Sequence, residues 1–489
     1  MGADHGLSRR SLLRAAGGLV LAGTAGRALL GTPAYAGEEK SDDGVFDTIV
    51  VGAGLAGVTA ARELRKKGQR VLLLEARDRI GGRTWTDTFL GQQIERGGTW
   101  VDPSQPHVWR ELQRYKIPII ADVGPERVVL PTIGGFAEYD PAVAYQRQAE
   151  LFTPFFDAAA TIFPRPYEPF HNEHGVIRYD GISLRDRLDQ MRLPPADEIR
   201  LTSTTSLFGG SSKRGALTHL DQWWQLAGGT FEKFHGVNTF RPGTGTGSLV
   251  AAILADNSPV LRLNSPVASV VQESARVKVT TKAGREYQAA EVIMAVPVNV
   301  WRHIKFGPTP LPEAYTTAST QTFGVPHEKK LWIDLTEPAD RFIAEAPEGV
   351  ALCIFGRLNE GQLVVAFSVK DTFDPSSRPQ VEAAVREVLP GAKVGAYTAT
   401  NWHTEEYSRG VGVFRQPYQL TRLHRKIQQP FGKIKFCGGD IADGWSGYMD
   451  GAIESGLKVA GSPTLNGPAL ATAGLPAVDR KMYRSVWGL

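Results

Sequence analysis

The strongest constraint on the fold is a glycine-rich turn between a short apolar strand and a helix, close to residue 50. The strand leads into Gly52, Gly54 and Gly57, a helical stretch follows to about residue 67, and a second strand ends at Glu75. Glycines at this spacing permit a tight turn, let backbone N–H groups approach a pyrophosphate and let the helix pack closely on the strand, while the acid accepts hydrogen bonds from a ribose diol. The sequence therefore predicts a dinucleotide site, and the acid argues against a nucleotide with a 2′-phosphate.

Composition and charge exclude several other classes of protein. The chain has 489 residues, enough for two or three domains. Its formal charge of +4 falls to +1 without residues 1–36, which hold four arginines and one aspartate, so no basic field for nucleic acid remains. Cys353 and Cys437 lie far apart without a Cys-x-x-Cys pattern, and no histidine cluster has metal-ligand spacing. We expect neither a disulfide framework nor a metal site.

The N-terminal segment has the pattern of a twin-arginine signal peptide. Arg9 and Arg10 precede an Ala/Gly-rich apolar stretch, and Ala34-Tyr35-Ala36 is a small-residue cleavage pattern. We expect residues 1–36 to be removed and the protein to be exported to the periplasm or the extracellular space. The alternative is a disordered or membrane-anchoring N-terminus. No later stretch is long and apolar enough for a membrane-spanning helix.

A second glycine motif near the C-terminus favours FAD over NAD. An apolar strand ends at Cys437 and runs into Gly439 and Asp440, and Trp445 soon opens a block that leads into an apolar helix ending near residue 460. This brings a second helix N-terminus to the cofactor, where its positive end stabilises negative charge on a reduced isoalloxazine. The glycine-rich segment 243–247 lacks the Lys-Ser/Thr of a P-loop, which argues against nucleotide hydrolysis.

Periodicity along the chain predicts a cofactor domain that is interrupted twice. Residues from about 107 to 240 are largely helical in pattern, and residues from about 306 to 394 alternate as sheet strands do. The predicted organisation is a signal peptide (1–36), a FAD-binding domain (45–106, 240–305 and 395–462), a substrate-binding domain (107–239 and 306–394) and a C-terminal tail (463–489).

Several blocks resemble the flavin-containing amine oxidases of the monoamine oxidase type. The similar blocks are residues 75–83, 96–100, 401–402, 407–408 and 445–452. Residues 105–109 and 163–166 are closer still to bacterial nicotine oxidoreductases, which also carry twin-arginine leaders. The resemblance implies an α/β fold with a Rossmann-like, GR2-type FAD-binding domain interleaved with a mixed sheet-plus-helices substrate domain.

The resemblance also implies the reaction and its residues. A hydride passes from the carbon that bears nitrogen to the flavin, and the resulting imine hydrolyses. Tyr448 matches a tyrosine that guides the amine, Lys330 matches a lysine that holds a water near the flavin, and Trp402 and Trp445 are expected to pack around the flavin. Lys329 is the register-shifted alternative to Lys330. Since the amine must be uncharged when it reacts, we expect a dry, apolar site rather than an anionic one.

The predicted FAD contacts combine both motifs with the family match. They are Gly52, Gly54, Ala56, Gly57, Glu75, Ala76, Arg77, Gly82, Arg83, Gly98, Thr99, Trp100, Val267, Trp402, Gly439, Asp440, Tyr448 and Met449. Asp440 stands where the family usually has glutamate, near the phosphate and ribityl groups, so its shorter side chain is expected to act through water.

Two positions depart from the monoamine oxidase pattern. Val411 replaces the cysteine that binds flavin covalently, so we predict non-covalent FAD. Gly412 replaces a tyrosine that forms half of an aromatic cage around the amine. Either a Trp or Phe from elsewhere, for instance Phe414, fills the gap, or the pocket accepts a bulkier substrate.

Three other interpretations remain open at this point. An L-amino acid oxidase needs an arginine for the substrate carboxylate, for which Arg178 and Arg357 are available. A desaturase shares the N-terminal motif, and the third alternative is a non-catalytic flavin or adenine-nucleotide binding protein. The favoured substrate is a secondary or cyclic amine, with O2 or an electron-transfer protein reoxidising the flavin. A homodimer is compatible with the sequence.

Overall fold

Two β-sheets organise the computed structural model, which describes residues 45–209, 211–323, 325, 327–336, 340–356 and 363–466. The strands are β1 (Phe46–Val51), β2 (Val71–Leu74), β3 (Thr86–Phe89), β4 (Gln92–Glu95), β5 (Ile119–Ala121), β6 (Arg127–Thr132), β7 (Gly135–Tyr139), β8 (Phe240–Pro242), β9 (Val260–Arg262), β10 (Val267–Gln272), β11 (Val277–Thr281), β12 (Glu286–Met294), β13 (Lys305–Gly307), β14 (Lys329–Leu335), β15 (Phe342–Ala344), β16 (Cys353–Gly356), β17 (Leu363–Ser368), β18 (Val394–Asn401) and β19 (Ile434–Phe436). The helices are α1 (Leu55–Lys66), α2 (Pro106–Arg114), α3 (Pro141–Phe155), α4 (Ala159–Ile162), α5 (Glu173–Tyr179), α6 (Leu184–Met191), α7 (Pro195–Gly209), α8 (Leu217–Ala227), α9 (Phe231–Gly236), α10 (Thr246–Ala255), α11 (Glu313–Thr320), α12 (Arg378–Val388), α13 (Arg425–Ile427) and α14 (Met449–Val459).

The first sheet has β1 near its centre. Its order is β13-β10-β11-β12-β1-β2-β9, with β19 also paired to β12. β1 lies parallel to both β12 and β2, which is the arrangement of a Rossmann-like sheet. Ile49, Val50 and Val51 are all buried because helices and strands cover both faces of a parallel sheet, so a continuous apolar run is required there.

The first helix and the last long helix cross closely behind this sheet. α1 follows the glycine turn directly, with Gly54 in extended conformation as its N-cap. A Cβ added at Gly456 of α14 would lie 2.5 Å from the carbonyl oxygen of Ala56. Glycine at this position therefore lets α14 reach α1, and both helix N-termini point into the same region.

The second sheet is almost entirely antiparallel. Its order is β18-β14-β17-β16-β15-β6-β7, and only the β15–β6 pair is parallel. Leu331 and Ile333 pack in a core with Val381 and Val385 of α12. Alternation along β14 then turns Lys330 and Trp332 to the opposite face, as the sequence predicted.

The region 107–240 is largely helical as predicted, with α2 to α9, but β5, β6 and β7 also lie in this range. Its core is aromatic, and Phe156 stacks on Trp224 with ring centroids 4.3 Å apart. No helix of the residues described here is long and apolar enough to cross a membrane. The leader (1–36), most of the C-terminal tail (467–489) and Arg357 lie outside the described residues.

The predicted domain segments can be compared with the strands of the two sheets. Those of the first sheet fall in the predicted FAD-binding segments, with β13 just past their edge, whereas β18 (Val394–Asn401) belongs to the second sheet although the FAD-binding segment was predicted to begin at residue 395. β18 pairs with β14 from Lys329↔Asn401 onward, and this long-range pairing has no local sequence signal. The division into domains itself stays a prediction.

Candidate active site

A cavity of about 520 Å³ joins the glycine turn of β1, the start of α14 and one face of β14. Seventeen predicted site residues line it: Gly52, Gly54, Ala56, Glu75, Ala76, Arg77, Gly82, Arg83, Gly98, Thr99, Trp100, Val267, Lys330, Trp402, Gly439, Tyr448 and Met449. Gly57 and Asp440 lie behind this lining. The structure therefore brings residues from across almost 400 positions of sequence to one cavity.

The glycine turn is a backbone cradle that no side chain could replace. Gly52 has φ +106°, and a Cβ there would lie 2.8 Å from the carbonyl oxygen of Ala295. A Cβ on Gly57 would lie 1.9 Å from the carbonyl oxygen of Gly52. The free N–H groups at the start of α1 thus face the cavity at close range, which fits a pyrophosphate.

Glu75 is held at the end of β2 by two backbone donors. Its carboxylate accepts hydrogen bonds from Ala53 N at 2.8 Å and from Arg77 N at 2.9 Å. The side chain is buried against protein but lines the cavity. Each oxygen keeps acceptor capacity, so the predicted bond to a ribose diol fits this geometry.

Asp440 does not line the cavity, but it binds an arginine that does. One oxygen accepts from Nη1 of Arg83 at 2.6 Å, and the other accepts from Val298 N at 3.1 Å. Nη1 of Arg83 also donates to the carbonyl oxygen of Val411 at 2.6 Å. Asp440 therefore fixes Arg83, which is the residue that lines the cavity, and the predicted approach of Asp440 to the cofactor is indirect.

Trp402 and the glycine pair before Thr99 form one wall. Nε1 of Trp402 donates to the carbonyl oxygen of Arg96 at 3.0 Å. A Cβ on Gly97 would lie 1.9 Å from the carbonyl oxygen of Arg83 and 3.0 Å from the Trp402 ring. The ring and the backbone are thus packed in contact, which leaves no room for a side chain at Gly97.

Lys330 faces the cavity, and Lys329 does not. Nζ of Lys330 donates to the carbonyl oxygen of Gly97 at 2.8 Å and to Oγ1 of Thr99, whereas Nζ of Lys329 bonds the carbonyl oxygen of Lys370. Burial lowers the pKa of Lys330 to about 7, although nearby carboxylates oppose the shift. The structure thus favours Lys330 over the register-shifted alternative.

An aromatic pair replaces the cage that Gly412 interrupts. Tyr448 and Trp223 of α8 line the cavity edge to face, with centroids 4.9 Å apart at 81°. Nε1 of Trp223 donates to the carbonyl oxygen of Ser446 at 3.1 Å, and Phe414 packs behind Trp223. The cavity aromatic is thus Trp223 rather than Phe414.

Gly412 does not open a hole, and Trp445 does not reach the cavity lining. A Cβ on Gly412 would lie 2.6 Å from the carbonyl oxygen of Gly447, so backbone occupies the place of a side chain. Trp445 stands behind Tyr448 with centroids 4.9 Å apart and donates to the carbonyl oxygen of Ser104. Trp445 was predicted to pack against the flavin, whereas in the structure it packs against Tyr448.

Among the cavity residues that sequence reasoning missed, Trp223 and Glu328 bear most on the chemistry. Trp223 gave no signal because α8 lies far from both glycine motifs in sequence. Glu328 lies two positions before Lys330, and strand alternation alone would have placed it on the same face. It lines the cavity and is partly exposed. The expectation of an apolar rather than anionic site is therefore wrong at this position.

A buried cluster of His107, Asp450 and Glu454 has metal-like spacing but is already hydrogen-bonded. Nδ1 of His107 lies 3.0 Å from Asp450, and Nε2 accepts from Leu465 N at 2.9 Å. Glu454 accepts from two backbone N–H groups of the loop before α14. These bonds tie α2 to α14, and the prediction of no metal is unchanged.

The carboxylate-binding arginines of the amino acid oxidase alternative find no support. Arg178 is exposed on α5 with its guanidinium over the ring of Tyr179, and it is not part of the cavity lining. Arg357 lies outside the described residues.

Comparisons with known proteins match this geometry. The family model for flavin containing amine oxidoreductase matches residues 55–462. Pseudooxynicotine dehydrogenase from Pseudomonas sp is 31% identical over 474 residues, which cover 93% of this chain and 95% of the relative. (S)-6-hydroxynicotine oxidase from Paenarthrobacter nicotinovorans is 29% identical over 84% of this chain and 97% of its own length. The solved structure of cyclohexylamine oxidase from Brevibacterium oxydans has a TM-score of 0.71 at 19% identity, covering 88% of this chain and 99% of its own.

Proposed function

Because the chain belongs to the family of flavin-containing amine oxidoreductases, we propose that its cavity oxidises a secondary or cyclic amine that carries an aromatic ring. The protein is an FAD-dependent oxidoreductase that acts on amines. Four further properties are proposals: the identity of the amine, the non-covalent binding of the flavin, the electron acceptor and the cellular location.

The observation that carries the substrate proposal is the aromatic pair that lines the same cavity as Lys330. Tyr448 and Trp223 meet edge to face at 4.9 Å, and Trp100 and Trp402 also line the cavity. Aromatic rings offer apolar area and attract cationic nitrogen. The relatives named for nicotine-derived substrates support a substrate with its own ring, which these walls would sandwich.

Different residues are proposed to bind the cofactor, orient the amine and hold a water molecule. Bound FAD supplies the acceptor for the two electrons that leave the amine. The cradle of Gly52 and Gly57 would hold the cofactor's phosphates, and the carboxylate of Glu75 would hold its ribose. The aromatic walls orient the amine and exclude bulk water, and Lys330 holds a water by hydrogen bonding. Hydrolysis of the imine product gives a carbonyl compound and an amine.

The test is the anaerobic absorption spectrum of the mature holoprotein during addition of single compounds. The panel contains pseudooxynicotine, (S)-6-hydroxynicotine, cyclohexylamine and L-phenylalanine. We expect pseudooxynicotine or (S)-6-hydroxynicotine to bleach the flavin band fastest. Bleaching by L-phenylalanine alone would support the amino acid oxidase alternative, and faster bleaching by cyclohexylamine would contradict the requirement for an aromatic ring.

The FAD is proposed to be bound without a covalent link. Val411 lines the cavity and offers no nucleophile. Cys437 is buried, is not part of the cavity lining, and burial raises the pKa of its thiol to about 12. Acid precipitation should therefore release all of the flavin into the supernatant, and yellow colour in the pellet would refute the proposal.

Export by the twin-arginine route is proposed from Arg9 and Arg10. Folding around a tightly held dinucleotide before translocation is consistent with this route. Replacement of both arginines by lysine should retain the precursor in the cytoplasm of the producing cell, as seen by fractionation. The electron acceptor is proposed to be O2 or an electron-transfer protein, and the rates at which each reoxidises the flavin identify it. Light scattering tests whether the protein is a homodimer.

A further inference from the structure

The cavity holds an acidic side chain that the proposed function leaves without a task. Three acids line it: Glu75, Glu328 and Glu406. Glu75 is held by two backbone N–H groups, and Glu406 pairs with Lys282. Among the described residues, no group hydrogen-bonds the carboxylate of Glu328. A cavity acid with unused acceptor capacity is available to a ligand.

The strand geometry turns this carboxylate toward the reacting region. Trp402 N donates to the carbonyl oxygen of Glu328 at 3.2 Å, which continues the pairing of β14 with β18 by one residue. Alternation then places Glu328 on the face of Lys330 and opposite Lys329. Glu328, Lys330 and Trp402 all line the cavity, and Lys329 does not.

Nζ of Lys330 makes two hydrogen bonds to the cavity wall. Oγ1 of Thr99 donates its own hydrogen to the carbonyl oxygen of Gly97 at 3.1 Å. In the hydrogen bond between Oγ1 and Nζ of Lys330, Oγ1 is therefore the acceptor. Lys330 thus gives its second N–H bond to the Gly97 carbonyl and has one position left. This position is a third N–H that donates to water in the ammonium form, and a lone pair that accepts from water in the uncharged form.

The two side chains titrate in the same range. Burial lowers the pKa of Lys330 to about 7, and burial raises the pKa of Glu328 to about 7 while the charge of Lys330 opposes that rise. Glu328 and Lys330 line the same cavity, and a substrate ammonium ion bound there must lose a proton because only its uncharged form can be oxidised.

Resting on the proposed function, we propose that Glu328 binds the incoming amine as its ammonium ion and accepts its proton. One N–H bond of the ammonium breaks, an O–H bond forms on Glu328, and the electron pair of the broken bond stays on nitrogen as its lone pair. No electron leaves in this step. The uncharged amine is then oxidised, and Glu328 returns the proton to water when the product departs.

Other titratable groups do not replace Glu328 in this role. The other charged or titratable side chains that line the cavity or lie close to Lys330 and Glu328 are Glu75, Arg77, Arg83, Glu95, Lys282, His303, His327, His403, Glu406, Tyr407, Arg409 and Tyr448. The carboxylates of Glu75, Glu95 and Glu406 already have hydrogen-bond or ion-pair partners. Lys282 is the partner of Glu406. Burial lowers the pKa of the three histidines, which makes them weaker bases, and raises the pKa of both tyrosines, which keeps them uncharged. The arginines donate and cannot accept a proton.

The test compares wild-type holoenzyme with Glu328→Gln, which keeps the size of the side chain and removes its basicity. The measurement is the second-order rate of anaerobic flavin reduction by the panel amine that reduces the wild-type flavin, from about pH 6 to about pH 10. We expect a loss of about 10²-fold at neutral pH that disappears as the pH reaches the amine's own pKa of about 10, because free amine then needs no base.

A matched control lies on the same strand. Asp334→Asn removes a carboxylate from the same face of β14 but from outside the cavity lining, so its rate profile should follow the wild type. An equal loss for Glu328→Gln at every pH would make Glu328 structural and overturn the proposal. A changed flavin reduction potential with a pH-independent loss would also overturn it, in favour of redox tuning.

A second readout does not require turnover. Infrared difference spectra of the holoenzyme at about pH 7.5, with cyclohexylamine as the probe, should show a protonated-carboxyl band that grows on binding in wild type and is missing in Glu328→Gln. The same band growth in both proteins would refute the proposal. If no panel amine reduces the flavin, the proposed function fails, and this spectrum still decides the role of Glu328.

Discussion

The two ends of the cavity are built in different ways. The cofactor end is backbone: Gly52, Gly57 and the N–H groups that hold Glu75 come from 26 consecutive residues, 52 to 77. The substrate end is side chain: Trp223 comes from α8, Lys330 from β14 and Tyr448 from the start of α14. A substitution at the cofactor end should therefore affect folding and cofactor retention, and one at the substrate end should affect rate and selectivity.

The largest effect should come from Gly57→Ala at the cofactor end. The new Cβ would lie 1.9 Å from the carbonyl oxygen of Gly52, so the turn must open, at a cost of about 3 kcal/mol or more. We expect loss of bound FAD, measured as the ratio of flavin to protein absorbance. Gly391→Ala, where nothing lies within 4 Å of the added Cβ, is the control. Full flavin content in Gly57→Ala would contradict the claim that backbone geometry at the cofactor end determines cofactor retention.

Lys330→Met should have the second largest effect and leave the flavin bound. Removal of the only amine that faces Gly97 and Thr99 among the described residues should slow anaerobic flavin reduction by about 10²-fold. Lys329→Met is the neighbour control, because Lys329 bonds Lys370 on the other face, and its rate should stay near wild type. Equal losses in the two variants would place the strand register, rather than the lysine, behind the effect.

Trp223→Leu should change substrate preference more than maximal rate. The indole forms an edge-to-face contact with Tyr448, so we expect KM for a ring-bearing amine to rise by about tenfold. The control is Trp224→Leu, which removes the stacked partner of Phe156. That variant should lower the melting temperature while KM stays unchanged. A KM effect in both would show that α8 shapes the cavity only through packing.

The smallest expected effect is a loss of folding stability at acidic pH, caused by a histidine that lies behind the substrate end of the cavity. His219 is fully buried between Trp223 and Phe414, and burial holds its pKa well below the ordinary imidazole value. As the pH falls through about 6.5, the unfolded chain binds a proton that folded His219 cannot, so stability is lost by about 1 kcal/mol per pH unit.

His219→Phe should flatten this part of the pH dependence, measured by urea unfolding from about pH 7 to about pH 5. The exposed His174, changed to Phe, should leave the slope as in wild type. An unchanged slope in His219→Phe would mean that another buried group governs acid unfolding.

Local sequence was sufficient for the cofactor end because its geometry depends on short-range sterics. The spacing of Gly52, Gly54 and Gly57 predicted the turn, and α1 and β2 follow within one or two residues of the predicted bounds. Alternation along β14 also predicted the face of Lys330, because a strand has a fixed period of two.

What only the tertiary structure decided is which distant side chains meet. Trp223 faces Tyr448 because α8 docks across the loop before α14, and Glu328 is an acid inside the cavity because β14 pairs with β18 beside Trp402. Gly412 suggested a gap from sequence, yet the backbone of Gly447 fills it. Backbone conformation follows from neighbouring residues, whereas burial and the pKa shifts that accompany it arise from long-range packing, and so the chemistry of the substrate end could be read only from the folded chain.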